Sequence, residues 1–183
     1  MENNFDLSKV KLDPKGGLKA DYTMTANVDG TPAIIERSES STRDVHPDLH
    51  NLFVKLRRIV GDVFGLTAFL PMLEQIEIPA AKINVAKSWA DGLLEKIDVR
   101  GVSWSGNDAN TGVVVTAVFE TPNGQKTCVN TPRIKVSGES FGFEEDLAAI
   151  TDAIKIEVYK YLFEGKQAQL QLFGQNPDDV PEM

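Results

Sequence analysis

Apolar and polar residues alternate in several short stretches of the chain, and each such stretch predicts a half-buried β-strand. The clearest is GLKADYTMTAN, in which every second residue from Leu18 to Ala26 is apolar. KVKLD before it and PAIIERS after it predict two more strands, and Asp29-Gly30 is typical of a hairpin turn. This part of the chain therefore predicts three antiparallel strands.

A helical spacing follows, and the same order then repeats. In HPDLHNLFVKLRRIVGDVF the apolar residues recur every three or four positions, and Pro47 fits the first helical turn. Later, EKIDVRGVSWSG, TGVVVTAVFE and KTCVN predict strands, and FEEDLAAITDAIKIEVYKYLF predicts a helix. The hairpin dipeptides Asp29-Gly30 and Asn123-Gly124 lie 94 positions apart, and Leu49 and Leu147, which open the two apolar stripes, lie 98 apart.

These elements predict an α+β fold with an antiparallel sheet built from two β-β-β-α halves and helices covering one face. We expect a single domain over residues 1–165, with halves at about 8–65 and 95–165 and a packed connector at 66–94. Residues 166–183 are predicted to form a flexible acidic tail. The residue identities of the halves do not repeat, so the pattern fits an internal pseudo-repeat and equally two unrelated hairpin-plus-helix units.

Length and charge narrow the functional classes. A chain of 183 residues fits one domain, and its net charge of -8 argues against a wholly basic nucleic-acid binder while leaving room for a local basic groove. The single cysteine, Cys128, cannot form an internal disulfide, which favours a reducing compartment. We find no signal-peptide pattern and no apolar run of about 18 residues, so we expect a cytoplasmic protein without membrane contact.

No catalytic constellation stands out. His46 and His50 are four positions apart beside Asp44 and Asp48, but His46 precedes Pro47, so a helix cap is favoured over a metal site. Cys128 lies in a predicted strand, where a buried inert thiol is the common case. The acids at 144–146 open a helix, where the dipole favours them. We therefore predict no enzyme, no metal site and no cofactor.

Basic residues recur in the predicted strands and the first helix, and a tryptophan among them offers a ring on which a base could stack. They define a candidate nucleic-acid face, although isolated tryptophans are commonly core residues. The candidate contacts are Lys9, Lys11, Lys19, Arg57, Arg58, Arg100, Lys126, Arg133, Lys135 and Trp104.

The C-terminal segment carries the most specific motif. QLQLF, residues 169–173, resembles the peptide by which bacterial replication and repair proteins dock on the DNA sliding clamp. Gln169, Leu170, Leu172 and Phe173 match that motif, and Gln171 departs from it at its most permissive position. The resemblance implies that the leucine and phenylalanine fill a hydrophobic pocket. The alternative is that QAQLQLF extends the last helix and packs on the core.

Other stretches resemble small proteins of bacteriophages and prophages. The resemblance is carried by VHPDL, GVSWSGNDANTGVVV, a TP after the third strand of the second half, and EVYKYLFEGKQAQLQLFG. It implies a place in DNA replication or recombination and brings no catalytic residues. We therefore expect a non-enzymatic accessory protein of phage DNA metabolism that binds the sliding clamp and single-stranded DNA. The alternative is an interaction protein that inhibits or sequesters a host factor without binding DNA. The sequence leaves the oligomeric state open under either hypothesis.

Overall fold

The computed structural model describes residues 5–28, 31–67, 79–107, 110–121, 123–136 and 143–167. The described strands are β1 (Phe5–Leu12), β2 (Leu18–Val28), β3 (Thr31–Ser41), β4 (Ile97–Ser105), β5 (Gly112–Glu120), β6 (Lys126–Asn130) and β7 (Ile134–Lys135). The described helices are α1 (Pro47–Val63), α2 (Ala80–Glu95) and α3 (Glu144–Phe163).

The strands form one antiparallel sheet in the order β3-β2-β1-β4-β5-β6, with β7 pairing β5 beyond the end of β6. Each half of the chain therefore contributes a three-stranded meander, and the two meanders join where β1 meets β4. Helices α1 and α3 pack against each other and against the central strands. The predicted α+β class, with an antiparallel sheet of two β-β-β-α halves, is confirmed.

The central junction is short and symmetric in register. β1 and β4 pair at three positions, Lys9 with Ser103, Val10 with Val102 and Lys11 with Gly101. The two strands begin 92 residues apart, at positions 5 and 97. The same shift of 92 residues carries Val10 onto its own partner Val102, and it turns each of the two outer pairs into the other. A bulge follows Leu7 in β1 and Val99 in β4, and these positions are also 92 apart. The halves thus meet across an approximate two-fold axis.

The core lies between the sheet and the helices. Alternate residues of every long central strand face α1 and α3, as the period of two requires. Tyr22 is the largest side chain that the sheet buries, and its hydroxyl donates a 2.6 Å hydrogen bond to Glu39. Burial and this carboxylate raise the pKa of Tyr22 to about 12, so the phenol stays neutral. The buried apolar residues of β1, β4, β5 and the two helices are Leu7, Val10, Ile97, Val99, Val102, Val113, Val115, Ala117, Leu49, Phe53, Leu56, Ile59, Val60, Leu147, Ile154, Val158 and Tyr161.

Two predicted boundaries shift. The first half begins at Phe5, three residues before the expected start at about 8, because Phe5 already pairs with Met24. The connector 66–94 contains all but the last residue of the sixteen-residue helix α2, which buries Ala90 and packs Leu94 against the core. Residues 68–78 of the connector lie outside the described part of the chain.

Thr131 makes a testable contribution to the sheet. Its buried side-chain oxygen accepts a 3.0 Å hydrogen bond from the backbone N–H of Val115. We expect Thr131→Val to lower the free energy of unfolding by about 1–3 kcal/mol, because valine keeps the shape but leaves that N–H unsatisfied. Thr131→Ser keeps the hydroxyl and should lose less, as urea denaturation of both variants will show. A Thr131→Val variant as stable as the wild type would contradict the contribution of this hydrogen bond.

Candidate nucleic-acid interface

The face of the sheet opposite the helices carries polar side chains. Cross-strand partners in an antiparallel sheet point to the same side, so the register defines rows across this open face. One row runs from β3 to β6 and contains no acidic residue. Its members are Ser40, Lys19, Lys11, Gly101, Thr116 and Asn130.

Three of the predicted contacts come together at the centre of this face. Lys11 lies directly opposite Lys19, and Lys9 follows two positions away on the same strand. All three are exposed, and none forms an ion pair within the described residues. A like-charge pair in direct cross-strand register is destabilising. These residues, Lys9, Lys11 and Lys19, are called the lysine cluster below.

The small residues beside the lysine cluster were not predicted as part of the site. Gly101 is buried next to Lys11, and a methyl group there would come within 3.1 Å of the Val10 carbonyl oxygen. The Thr116 hydroxyl donates a 2.7 Å hydrogen bond to the side-chain oxygen of Asn130, so these two members of the row are bound to each other. The alternation of the predicted strands indicates which residues share a face of the sheet. Only the strand register shows which of those residues share a row.

Acidic residues border the row and limit the basic region. Asp21 faces Lys9, and its carboxylate accepts a hydrogen bond from Ser38 instead of pairing with the lysine. Glu120 lies opposite Lys126, with their charged groups 4.0 Å apart. The positive charge is therefore local to the lysine cluster, as the net charge of -8 requires.

The other predicted contacts are dispersed. Arg100 is the bulged residue of β4 and pairs with Asp98. Arg133 is held by Ser105 and by the carbonyl of Asn110, while Lys135 is exposed at the end of the face opposite Gly112.

The last three candidates lie on the helix side. Arg57 and Arg58 belong to α1, on the opposite layer from the lysine cluster. Trp104 faces the core, and Lys155 lies 5.5 Å from the centre of its ring. The Trp104 ring is therefore not available for base stacking on the open face.

Beside the row, the two meanders separate. Beyond Lys11 the hairpin of β1 and β2 diverges from β4, leaving a cleft of about 1200 Å³. The turn residues Asp13 and Gly16 form one wall, and Asp98 and Val118 on the open face form the other. Arg57 lines the cleft from α1. The cleft thus connects the open face with the helix layer.

His46 forms a helix cap, as predicted, and His50 lies within α1. His46 is the N-cap of α1, and its Nδ1 accepts a 3.2 Å hydrogen bond from the backbone N–H of Asp48. Among the described residues, no group of three or more His, Cys, Asp or Glu side chains could hold a metal ion. The prediction of a buried thiol at Cys128 is wrong: β6 is an edge strand, and Cys128 is exposed on it.

The last two described residues of the chain lie beside the start of α1. Lys166 donates 2.6 Å hydrogen bonds to Asp48 and to Glu157, and Gln167 forms a β-bridge with Val45. The predicted tail boundary at 166 therefore falls too early, since its first two residues are bound to the domain. The clamp-like motif at 169–173 lies outside the described residues.

The Lys166 contacts predict an acid-sensitive stability. The hydrogen bond from Lys166 lowers the pKa of Asp48. Burial acts to raise the pKa of Glu157, but hydrogen bonds from Lys160 and Lys166 outweigh it and lower that pKa below 4.5. Carboxyl groups with depressed pKa values stabilise the fold above their unfolded values, and this stability is lost as the pH falls through the folded values.

Accordingly, we expect Lys166→Met to lower the free energy of unfolding near neutral pH and to flatten its decline on acidification below about pH 5. Urea denaturation at a series of pH values measures both effects. Lys82→Met, at an exposed position of α2, should keep the wild-type pH dependence. An unchanged acid slope in the Lys166 variant would contradict the assignment.

No described helix is both long and apolar enough to span a bilayer. Comparisons of the chain with models of protein families, with curated proteins and with solved structures each give no match.

Proposed function

We propose that this protein is a non-enzymatic accessory protein of phage or prophage DNA metabolism, which binds single-stranded DNA on the open face of its sheet. The observation that carries the proposal is the lysine cluster. Lys11 and Lys19 face each other without acidic partners in a row that contains no carboxylate. A polyanion lying along the row would offset the repulsion between the two lysines. Binding of such a ligand is therefore a physical reason for this destabilising pair.

In the proposed complex, the lysines bind the phosphates by charge, and base stacking contributes little. Within the described residues, the row across the open face holds no aromatic side chain, and Trp104 faces the core. Phosphate contacts from lysines carry little sequence information. The expected binding is therefore independent of sequence and weakened by salt, with a slope of log affinity against log salt of about -2 for three phosphate contacts on a single strand.

The second part of the proposal concerns the C-terminal motif. Gln169, Leu170, Leu172 and Phe173 match the clamp-docking peptide, and the chain reaches them two residues after the bridge at Gln167. Docking on a bacterial sliding clamp would bring the lysine cluster to replicating DNA in the host cytoplasm. A peptide that orders on binding pays an entropic cost, so we expect a dissociation constant of about 1 μM.

Fluorescence anisotropy with a labelled single strand, and with a duplex of the same length, tests the first part. We expect salt-sensitive binding that favours the single strand. No binding at low salt would overturn this part and favour the alternative, an interaction protein that occupies a host factor. A preference for the duplex would also contradict it.

Calorimetry with purified clamp tests the second part separately. We expect Leu172→Ala combined with Phe173→Ala to abolish clamp binding while leaving DNA binding unchanged. The matched control is Gln171→Ala, at the permissive position of the motif, which should bind as the wild type does. Clamp binding that survives the double substitution would overturn the docking assignment.

A further inference from the structure

The two helices carry equivalent basic residues in unequal surroundings. The buried residues Leu49, Leu56 and Val60 of α1 lie 98 positions before the buried residues Leu147, Ile154 and Val158 of α3. The same shift carries Arg57 onto Lys155. The two residues therefore sit at opposite ends of the β1–β4 junction, which its approximate two-fold axis relates to each other.

Lys155 has two partners. Its Nζ lies 3.5 Å from the carboxylate of Asp6 and 5.5 Å from the centre of the Trp104 ring. Asp6 belongs to the open face of β1, since it pairs with Thr23. The lysine thus passes from the helix layer to the far side of the sheet at the end where the strands separate, and it closes that end.

Arg57 lacks the corresponding partners. The residue equivalent to Asp6, by the shift of 92 residues, is Asp98, and Asp98 pairs with Arg100. The Nε of Arg57 is buried and has no hydrogen-bond acceptor within the described part of the chain. A buried guanidinium nitrogen without an acceptor is unfavourable, because its lost hydration is not replaced. Arg57 is one of the residues that line the cleft of about 1200 Å³.

We propose that this cleft binds a phosphate group, with the guanidinium of Arg57 as its principal donor. The planar guanidinium presents donors that match two phosphate oxygens at once. Four carboxylates also line the cleft, which disfavours a long polyanion inside it and favours one phosphate that reaches the arginine. They belong to Asp13, Glu95, Asp98 and Glu120. The proposal rests on the proposed function for the source of that phosphate, namely the bound strand.

The location supports a strand as the source. The row that contains the lysine cluster meets the cleft where Lys11 pairs with Gly101, next to Arg100 and Leu12 in its lining. A strand that follows the row from Lys19 to Gly101 passes the mouth of the cleft, where one of its phosphates can turn inward towards Arg57.

The test compares the two equivalent basic positions. Wild type, Arg57→Gln, Arg57→Lys and Lys155→Gln are titrated with a labelled oligothymidylate, with and without inorganic phosphate as competitor, after circular dichroism confirms folding. We expect Arg57→Gln to lose about tenfold in affinity and Arg57→Lys to lose part of that, because lysine keeps the charge and loses the two-pronged contact. Lys155→Gln should bind as wild type does but unfold at a lower urea concentration.

Inorganic phosphate should compete with the oligonucleotide for the wild type and compete less for Arg57→Gln. Equal oligonucleotide affinity in wild type and Arg57→Gln overturns the cleft proposal and leaves the lysine cluster standing. Phosphate binding that depends on Arg57, without oligonucleotide binding, supports the cleft with free phosphate as its ligand and overturns the proposed function. If neither probe binds the wild type, both proposals fall.

Discussion

Replacing Phe53 by alanine is expected to lower the free energy of unfolding by about 3–5 kcal/mol. Phe53 lies in the middle of α1 with 2% of its surface exposed, and it is among the largest side chains of the core. Its removal loses the transfer free energy of the ring and leaves a cavity that the sheet and α3 cannot fill completely. Domains of this kind are stable by about 5–15 kcal/mol, so the loss is a large fraction of the total.

Urea denaturation followed by circular dichroism measures this loss. The matched control is Ile156→Ala on α3, where 55% of the side chain is exposed. A substitution at such a surface position should change the free energy of unfolding by no more than about 0.5 kcal/mol. Similar losses in the two variants would contradict the location of the core between α1 and the sheet.

Local patterns predicted the elements of this fold because their causes are local. Alternation from Leu18 to Ala26 specifies β2, Pro47 specifies the first turn of α1, and Asn123-Gly124 specifies a tight turn, with Gly124 at a φ of 78°. The pairing of β1 with β4 joins residues 90 to 94 positions apart, and no local signal encodes it. The sheet order therefore had to come from the structure.

The candidate site was only partly predictable for the same reason. Lysines at alternate positions of β1 and β2 were recognisable, but their direct opposition depends on the register. Trp104 and Ser105 are neighbours in β4 and therefore lie on opposite faces of the sheet. The bulge after Val99 determines which of the two faces the core. Nothing in the sequence distinguishes Arg57 from Arg58, yet only Arg57 has a buried Nε without an acceptor among the described residues.

Cys128 shows how burial depends on sheet order. Cys128 lies next to Val129 in a predicted strand, and a free cysteine in such a position is commonly buried. Because β6 ends the sheet, it has one paired edge, and the open face leaves Cys128 uncovered. The same arrangement exposes the lysine cluster, so both outcomes follow from helices that cover one face only.

Reversing the charge of Lys11 and Lys19 together is expected to weaken single-strand binding by about a hundredfold at low salt, since two phosphate contacts are lost and repulsion replaces them. The slope of log affinity against log salt should fall towards zero in the same variant. Fluorescence anisotropy at several salt concentrations measures both quantities. The matched control, Lys55→Glu with Lys82→Glu, makes the same change in net charge at exposed positions of α1 and α2.

Compared with the wild type at 0.1 M salt, the control variant should lose at most a few-fold in affinity, because charges beyond about 10 Å are largely screened at that salt concentration. An equal loss in both variants would show that net charge, and not the lysine cluster, governs binding. The fold itself is expected to tolerate the reversal, since two glutamates repel each other across β1 and β2 as the two lysines do. The single variant Lys11→Glu creates an opposite-charge pair with Lys19 and should gain roughly 0.2–1 kcal/mol of stability while losing DNA affinity. That opposition between stability and binding is expected only if the like-charge pair is kept for a ligand.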